Sequence, residues 1–206
     1  MIESISISQE IFSFLVVIFS IIVHEVAHGY AAYIQGDHTA ERAGRLTLSP
    51  LPHIDVLGSV IVPLVAFFTS GTFFGWAKPV PYNPHNIRTR IGLAFVAAAG
   101  VLTNLSIALV SVLAIKFLGI EGLLNEAVGS ALVIIMTANL SLAFFNLIPV
   151  PPFDGMSILQ ALFPKLYIRQ DIVTNPVYMV IAIMLASVLY DRFMPSVLGF
   201  ISQLIF

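Results

Sequence analysis

The sequence predicts an all-α polytopic membrane protein of about four to six transmembrane helices. A re-entrant or short β segment is expected between the first helix and the helix holding Gly100-x-x-x-Asn104. Three observations predict this. Of 206 residues, 58% are apolar and only 10% charged, where a soluble domain carries about 25% charge. The mean hydropathy is +0.98, so the chain cannot cover a water-facing surface and belongs in a bilayer. The apolar residues also fall into long runs separated by short polar, Gly- and Pro-rich connections.

The first run, residues 11–34, is ample for a spanning helix and is ended by Gly36 and Asp37. The N-terminal "MIESISISQEIFSF" has no Lys or Arg, which argues against a cleaved signal peptide. Residues 37–55 are polar and mixed; alternation in "GRLTLS" hints at a short strand before two prolines break any helix. A second apolar run, 56–74, contains Gly58, Pro63 and Gly71. After a proline-rich basic loop come a third run, 91–118, and a fourth, 127–150. The last run is 177–190, followed by Asp191, Arg192 and an apolar tail from Met194.

Charge bias tests whether the second run crosses. If 56–74 dips in and returns, Arg42, Arg45, Lys78, Arg88, Arg90, Lys165 and Arg169 share one face, against Lys116 and Arg192 on the other. If it crosses, the basic residues divide almost evenly. The re-entrant arrangement is expected, with the N-terminus outside and residues 36–90 and 151–176 in the cytosol. Irregular backbone at membrane depth must be buried in protein or line a wet cavity.

The chemistry sits in "SIIVHEVAHGYAAY". His24 and His28 are four apart, so they share one helix face about 6 Å apart along the axis. Both imidazoles can reach one tetrahedral zinc ion. In the H-E-x-x-H arrangement the glutamate, here Glu25, faces the metal-bound water as general base. Two histidines and a glutamate in a membrane helix are expensive and mark a functional site. The chain has no cysteine, so any metal must be held by His, Asp or Glu. A third ligand is expected. Asp154 stands out in "NLIPVPPFDGMSIL", where prolines bend the segment at the end of an apolar run. With three crossings before it, Asp154 lies toward the same face as the histidines. Its bland alternative is a helix N-cap.

These residues resemble the site-2 protease family of intramembrane zinc metalloproteases, peptidase family M50. "HEVAHGYAA" fits the family's HExxH helix, "NLIPVPPFDG" its N-x-x-P-x-x-x-x-D-G motif, and "AAAGVLTNLSIAL" its Gly-x-x-x-Asn segment, with Val101 where proline is common. "GWAKPVPYNP" and "SPLPHIDVLGS" look like the short bacterial branch without a PDZ domain. The resemblance implies His24, His28 and Asp154 as Zn2+ ligands and Glu25 as catalytic base. It implies hydrolysis of a peptide bond within or near a transmembrane helix of a membrane-protein substrate. Asn104 matches an asparagine thought to meet the substrate backbone; an amide there can also steady an oxyanion or bond between helices. Asn146 belongs to the second motif, and Asn139 shares its helix face as structural glue. His53, near the expected re-entrant turn, is a third substrate or oxyanion candidate beside a plain loop role.

The whole of 1–206 is expected to form one membrane-embedded domain, with a catalytic core of about 10–165 and a C-terminal helix and tail at 173–206. Its setting is the plasma (inner) membrane of a prokaryote, multi-pass, with the site toward the cytosol. A net charge of −2 gives no sign of nucleic-acid binding. A membrane metal or ion transporter, or a non-catalytic scaffold on the same fold, are the competing classes.

Overall fold

The computed structural model describes residues 7–55, 77–166 and 175–205, with isolated positions 58, 61, 64, 65 and 68 between. Among these residues there are six α-helices: α1 (Ile7–Tyr33), α2 (Thr39–Arg42), α3 (Arg90–Ile120), α4 (Glu126–Leu147), α5 (Asp154–Leu162) and α6 (Pro176–Ile205). Four of them, α1, α3, α4 and α6, are long and apolar enough to cross a membrane.

Local chemistry sets the boundaries. The α3 helix starts at Thr89, whose hydroxyl accepts from the Gly92 N–H at 2.9 Å, and α4 at Asn125, whose side chain accepts from Val128 N at 2.9 Å. Each satisfies one of the orphan donors of a first turn. Between them Gly122 turns the chain at a left-handed φ of 66°. Most large apolar side chains point outward, as a lipid-facing surface requires. The packed interior uses small residues, with Ala31, Ala32, Val96 and Ala99 joining α1 to α3, which lets backbones approach closely.

The α6 helix does not stop at Tyr190. It runs on through Asp191, Arg192 and Pro195 to Ile205, because both charges lie on its exposed side and do not interrupt its packed stripe of Ala182, Ala186 and Met194. Arg192 therefore lies within the helix and not in a loop beyond it. Tyr190 fastens α6 to α4, stacking on Phe145 at 5.0 Å and meeting the Ser141 hydroxyl at 2.9 Å.

The expected strand in "GRLTLS" is absent; residues 46–48 form bends. A strand needs a partner ladder, and none exists among the described residues. Arg45 instead reaches the carbonyls of Lys78 and Pro79, and the Thr47 carbonyl accepts from His53. Most of 56–74 lies outside the described residues. Its flanks do not: Lys78 N donates to His53 O at 2.9 Å. Further out, Gln35 Nε2 donates to Gly92 O at 3.1 Å. Both flanks therefore lie at one end of the bundle.

Asp37 locks that end. Its carboxylate accepts from Asn83 N and Asn86 Nδ2, both at 2.7 Å, and from Thr39 N and Oγ1. Burial works against the charge, but the bonds from Thr39, Asn83 and Asn86 outweigh it and hold the carboxyl below the usual carboxylate range. A depressed folded value means stability that is full above the unfolded value of about 3.9 and is lost as pH falls. Replacing Asp37 with Ala should cost about 2–4 kcal/mol, since four donor groups lose a charged acceptor. Thermal unfolding in detergent at pH 7 and pH 4 checks this: the gap between wild type and Asp37→Ala should narrow at the lower pH.

Candidate metal centre

The His24 and His28 rings lie on one face of α1, both buried, with centroids 4.8 Å apart. Each is oriented through its Nδ1. His28 Nδ1 donates to the Val96 carbonyl at 2.7 Å. His24 Nδ1 donates to Asn104 Oδ1 at 2.5 Å. That direction is fixed further along. Ile135 O can only accept, so Asn139 turns its Nδ2 there, at 2.9 Å, and donates also to Ser20 Oγ. Its Oδ1 then faces Asn104 Nδ2 at 2.7 Å, leaving the Asn104 oxygen for His24. In the neutral form each imidazole carries its one N–H at Nδ1, which leaves its Nε2 lone pair facing the cluster.

Asp154 opens α5 but does not cap it: the N-cap position is Phe153, and no side-chain cap bond forms. The bland N-cap alternative therefore fails. Gly155 lets α5 press against the end of α4; a Cβ there would lie 2.3 Å from Leu147 O. This approach turns Asp154 Oδ2 to 3.0 Å from His24 Nε2 and 3.2 Å from His28 Nε2, while the two Nε2 atoms are 3.1 Å apart. Asp154 Oδ2 is buried and has no hydrogen-bond donor.

Three electron-pair donors facing one another repel unless a cation sits among them. A single proton bridges one pair and leaves the third atom uncompensated. A tetrahedral metal with bonds of about 2.0–2.1 Å separates its ligands by about 3.3 Å, close to the spacings found. These three side chains are the one cluster among the described residues able to hold a metal ion. The donor set, two imidazoles and a carboxylate, fits a catalytic zinc ion, which keeps its fourth position for water or substrate.

Glu25, next to His24 and half-buried, accepts from Val80 N at 2.8 Å through Oε2. The other sequence candidates fall elsewhere. Asn104 is fully buried, with its Oδ1 against His24 Nδ1 and its Nδ2 against Asn139 Oδ1. His53 donates through Nε2 to Thr47 O and makes no hydrogen bond to His24, Glu25, His28 or Asp154. Asn146 bonds Leu142 O in its own helix.

Residues 116–189 match the model of peptidase family M50. The proposed zinc metalloprotease YwhC of Bacillus subtilis (strain 168) is 37% identical over 156 residues, 73% of this chain and 68% of that protein. This chain belongs to peptidase family M50. The proposed zinc metalloprotease Rip2 of Mycolicibacterium smegmatis (strain ATCC 700084 / mc(2)155) is 27% identical over 145 residues, 68% of this chain and 53% of Rip2. The M50 chain thus spans about half the length of that mycobacterial relative. No solved structure matches it significantly.

The sequence names Gly100 in the Gly-x-x-x-Asn segment without giving it a role at the metal centre. A Cβ on it would lie 2.5 Å from His24 Cε1, His24 Nε2 and His28 Nε2. Its place one helical turn before Asn104, on the same face, is the signal that points to it. Gly100→Ala should abolish metal binding while the helical circular dichroism stays unchanged. Asn104→Ala should weaken metal affinity about 10–100-fold, as loss of an orienting partner does. Chelator competition on purified protein reads both.

Proposed function

We propose that this chain is an intramembrane zinc metalloprotease that hydrolyses a peptide bond within or near a transmembrane segment of a membrane protein. The observation that carries the reading is the convergence of His24 Nε2, His28 Nε2 and Asp154 Oδ2 beside a half-buried glutamate. The relatives' names support the same chemistry.

His24, His28 and Asp154 would hold the zinc ion. When bound there, zinc lowers the pKa of a coordinated water toward about 7 and polarises a carbonyl. Glu25 is the general base: its carboxylate takes the proton from the attacking water and returns it to the leaving amine nitrogen as the C–N bond breaks. The Val96 carbonyl and the Asn104 amide hold the imidazoles as Nδ1–H tautomers, so the Nε2 lone pairs stay available as ligands.

The substrate reading rests on depth. Lys116 Nζ reaches Leu204 O near the far end of α3, whereas Arg88 and Arg90 stand at its start. By the charge bias of membrane proteins that end is cytosolic, in the plasma membrane of a prokaryote. His24 lies nine residues before the end of α1 at Tyr33, about 14 Å at 1.5 Å per residue, so substrate bonds at that depth are within reach.

The test is zinc content and cleavage of fluorescein-labelled single-span test helices in proteoliposomes. Wild type should hold about one zinc per chain, lost in His24→Ala and Asp154→Ala. Glu25→Gln should keep its zinc and lose about 10²–10⁴-fold in cleavage rate. Zinc retained without Asp154, or cleavage undiminished by Glu25→Gln, would overturn the reading.

A further inference from the structure

Outside the metal cluster, the densest set of unusual polar contacts belongs to a short extended segment, Lys78 to Val80. It follows the second apolar run and lies against α1. Four bonds hold it. Lys78 N donates to His53 O at 2.9 Å, and Arg45 Nη2 donates to Lys78 O at 2.5 Å and to Pro79 O at 3.2 Å. The fourth is Val80 N to Glu25 Oε2 at 2.8 Å.

We propose that this segment is a clamp that orients Glu25, and that Arg45 is the positioning residue that seats the clamp. The proposal rests on the reading of Glu25 as general base and adds a device that serves it.

Three features carry it. First, Arg45 is 5% exposed and makes no ion pair among the described residues. Burying a guanidinium without a counter-charge is costly, and what it receives in return is two carbonyls of the clamp. Second, the clamp is pressed hard onto α1. Val80 is 5% exposed, and a Cβ on Gly29 would lie 2.8 Å from Val80 Cγ1 and 2.7 Å from Leu46 Cδ2. Gly29 follows His28 directly, so the space that admits Val80 opens beside the metal cluster. Third, Pro79 and Pro81 flank Val80. Each fixes φ near −65° and lacks an N–H. The fixed torsions preset the direction of the Val80 N–H. The missing donors also leave the segment's outer edge unable to template an added strand, so its backbone serves to hold rather than to recruit.

The chemical consequence is directional. Oε2 is tied to the Val80 N–H, and Oε1 is left to take the proton. A base displaced by about 1 Å loses about 100-fold in rate.

The cysteine-free chain permits a direct test. Val80→Cys is made alone and combined with Arg45→Gln, Arg45→Lys or Glu25→Ala, and maleimide labelling is timed in proteoliposomes. Zinc content, kcat and KM on the labelled test helices are measured for Arg45→Gln and Arg45→Lys in the wild-type and Glu25→Asp backgrounds. Arg45→Gln should speed labelling at least about tenfold and lower kcat about 10–100-fold, with KM and zinc content unchanged. Arg45→Lys, which keeps the charge but not the fork, should fall between. In Glu25→Asp, whose shorter carboxylate no longer reaches Val80, Arg45→Gln should add less than about twofold. Glu25→Ala should loosen Val80 by itself. Labelling unchanged by Arg45→Gln and by Glu25→Ala would overturn the clamp. Faster labelling with faster cleavage would also overturn it, because the segment would then be a lid. If wild type cuts none of the test helices, the proteolytic reading fails alone, and labelling still decides the clamp.

Discussion

Two imidazole nitrogens and a carboxylate oxygen sit within 3.2 Å of one another inside an apolar bundle, and the surrounding structure exists to keep them there. Left to themselves these atoms would turn apart or take up protons. They are held by what stands behind them: a carbonyl behind His28, an amide chain behind His24, and a helix packed on a glycine behind Asp154. In a low-dielectric interior each such bond is strong, and each broken one is expensive. The arrangement is therefore rigid for electrostatic reasons as much as for steric ones.

Much of the fold was legible because its signals are local. Long apolar runs gave α1, α3 and α4, and Thr89 and Asn125 mark the starts of the last two. The end of α6 was not legible. Asp191 and Arg192 read as a break before an apolar tail, but charges on an exposed side leave the helix intact. "GRLTLS" misled because alternation proposes a strand without supplying the partner that a strand needs.

At the site, His24, Glu25 and His28 were legible because helical spacing places them together without tertiary knowledge. Asp154 stood out as an acid set among prolines at the end of an apolar run. The hydrogen-bond partners of Asn104, Asn146 and His53 were not legible, since an amide or a ring declares its chemistry but not the direction it faces. The remaining partners are backbone atoms: the Val96 and Ile135 carbonyls and the Val80 N–H. Every residue carries such groups, so no sequence pattern singles them out. Helical carbonyls can serve in this way because each has a second lone pair beyond the one its own helix uses.

The direction of synthesis gives the antiparallel pairing of α1 with α3 a consequence for assembly. Glu25, His24 and His28 enter the bilayer with the first helix. Their partners Val80, Val96, Asn104 and Asp154 all come later in the chain. At insertion α1 carries three unsatisfied polar side chains, offset only by its own apolar residues, whose mean hydropathy over the span is 2.1. The metal cluster cannot close until α5 has been made. The nascent chain thus lacks an assembled cluster while α1, α3 and α4 are being threaded into the membrane, and the cluster is completed only with α5.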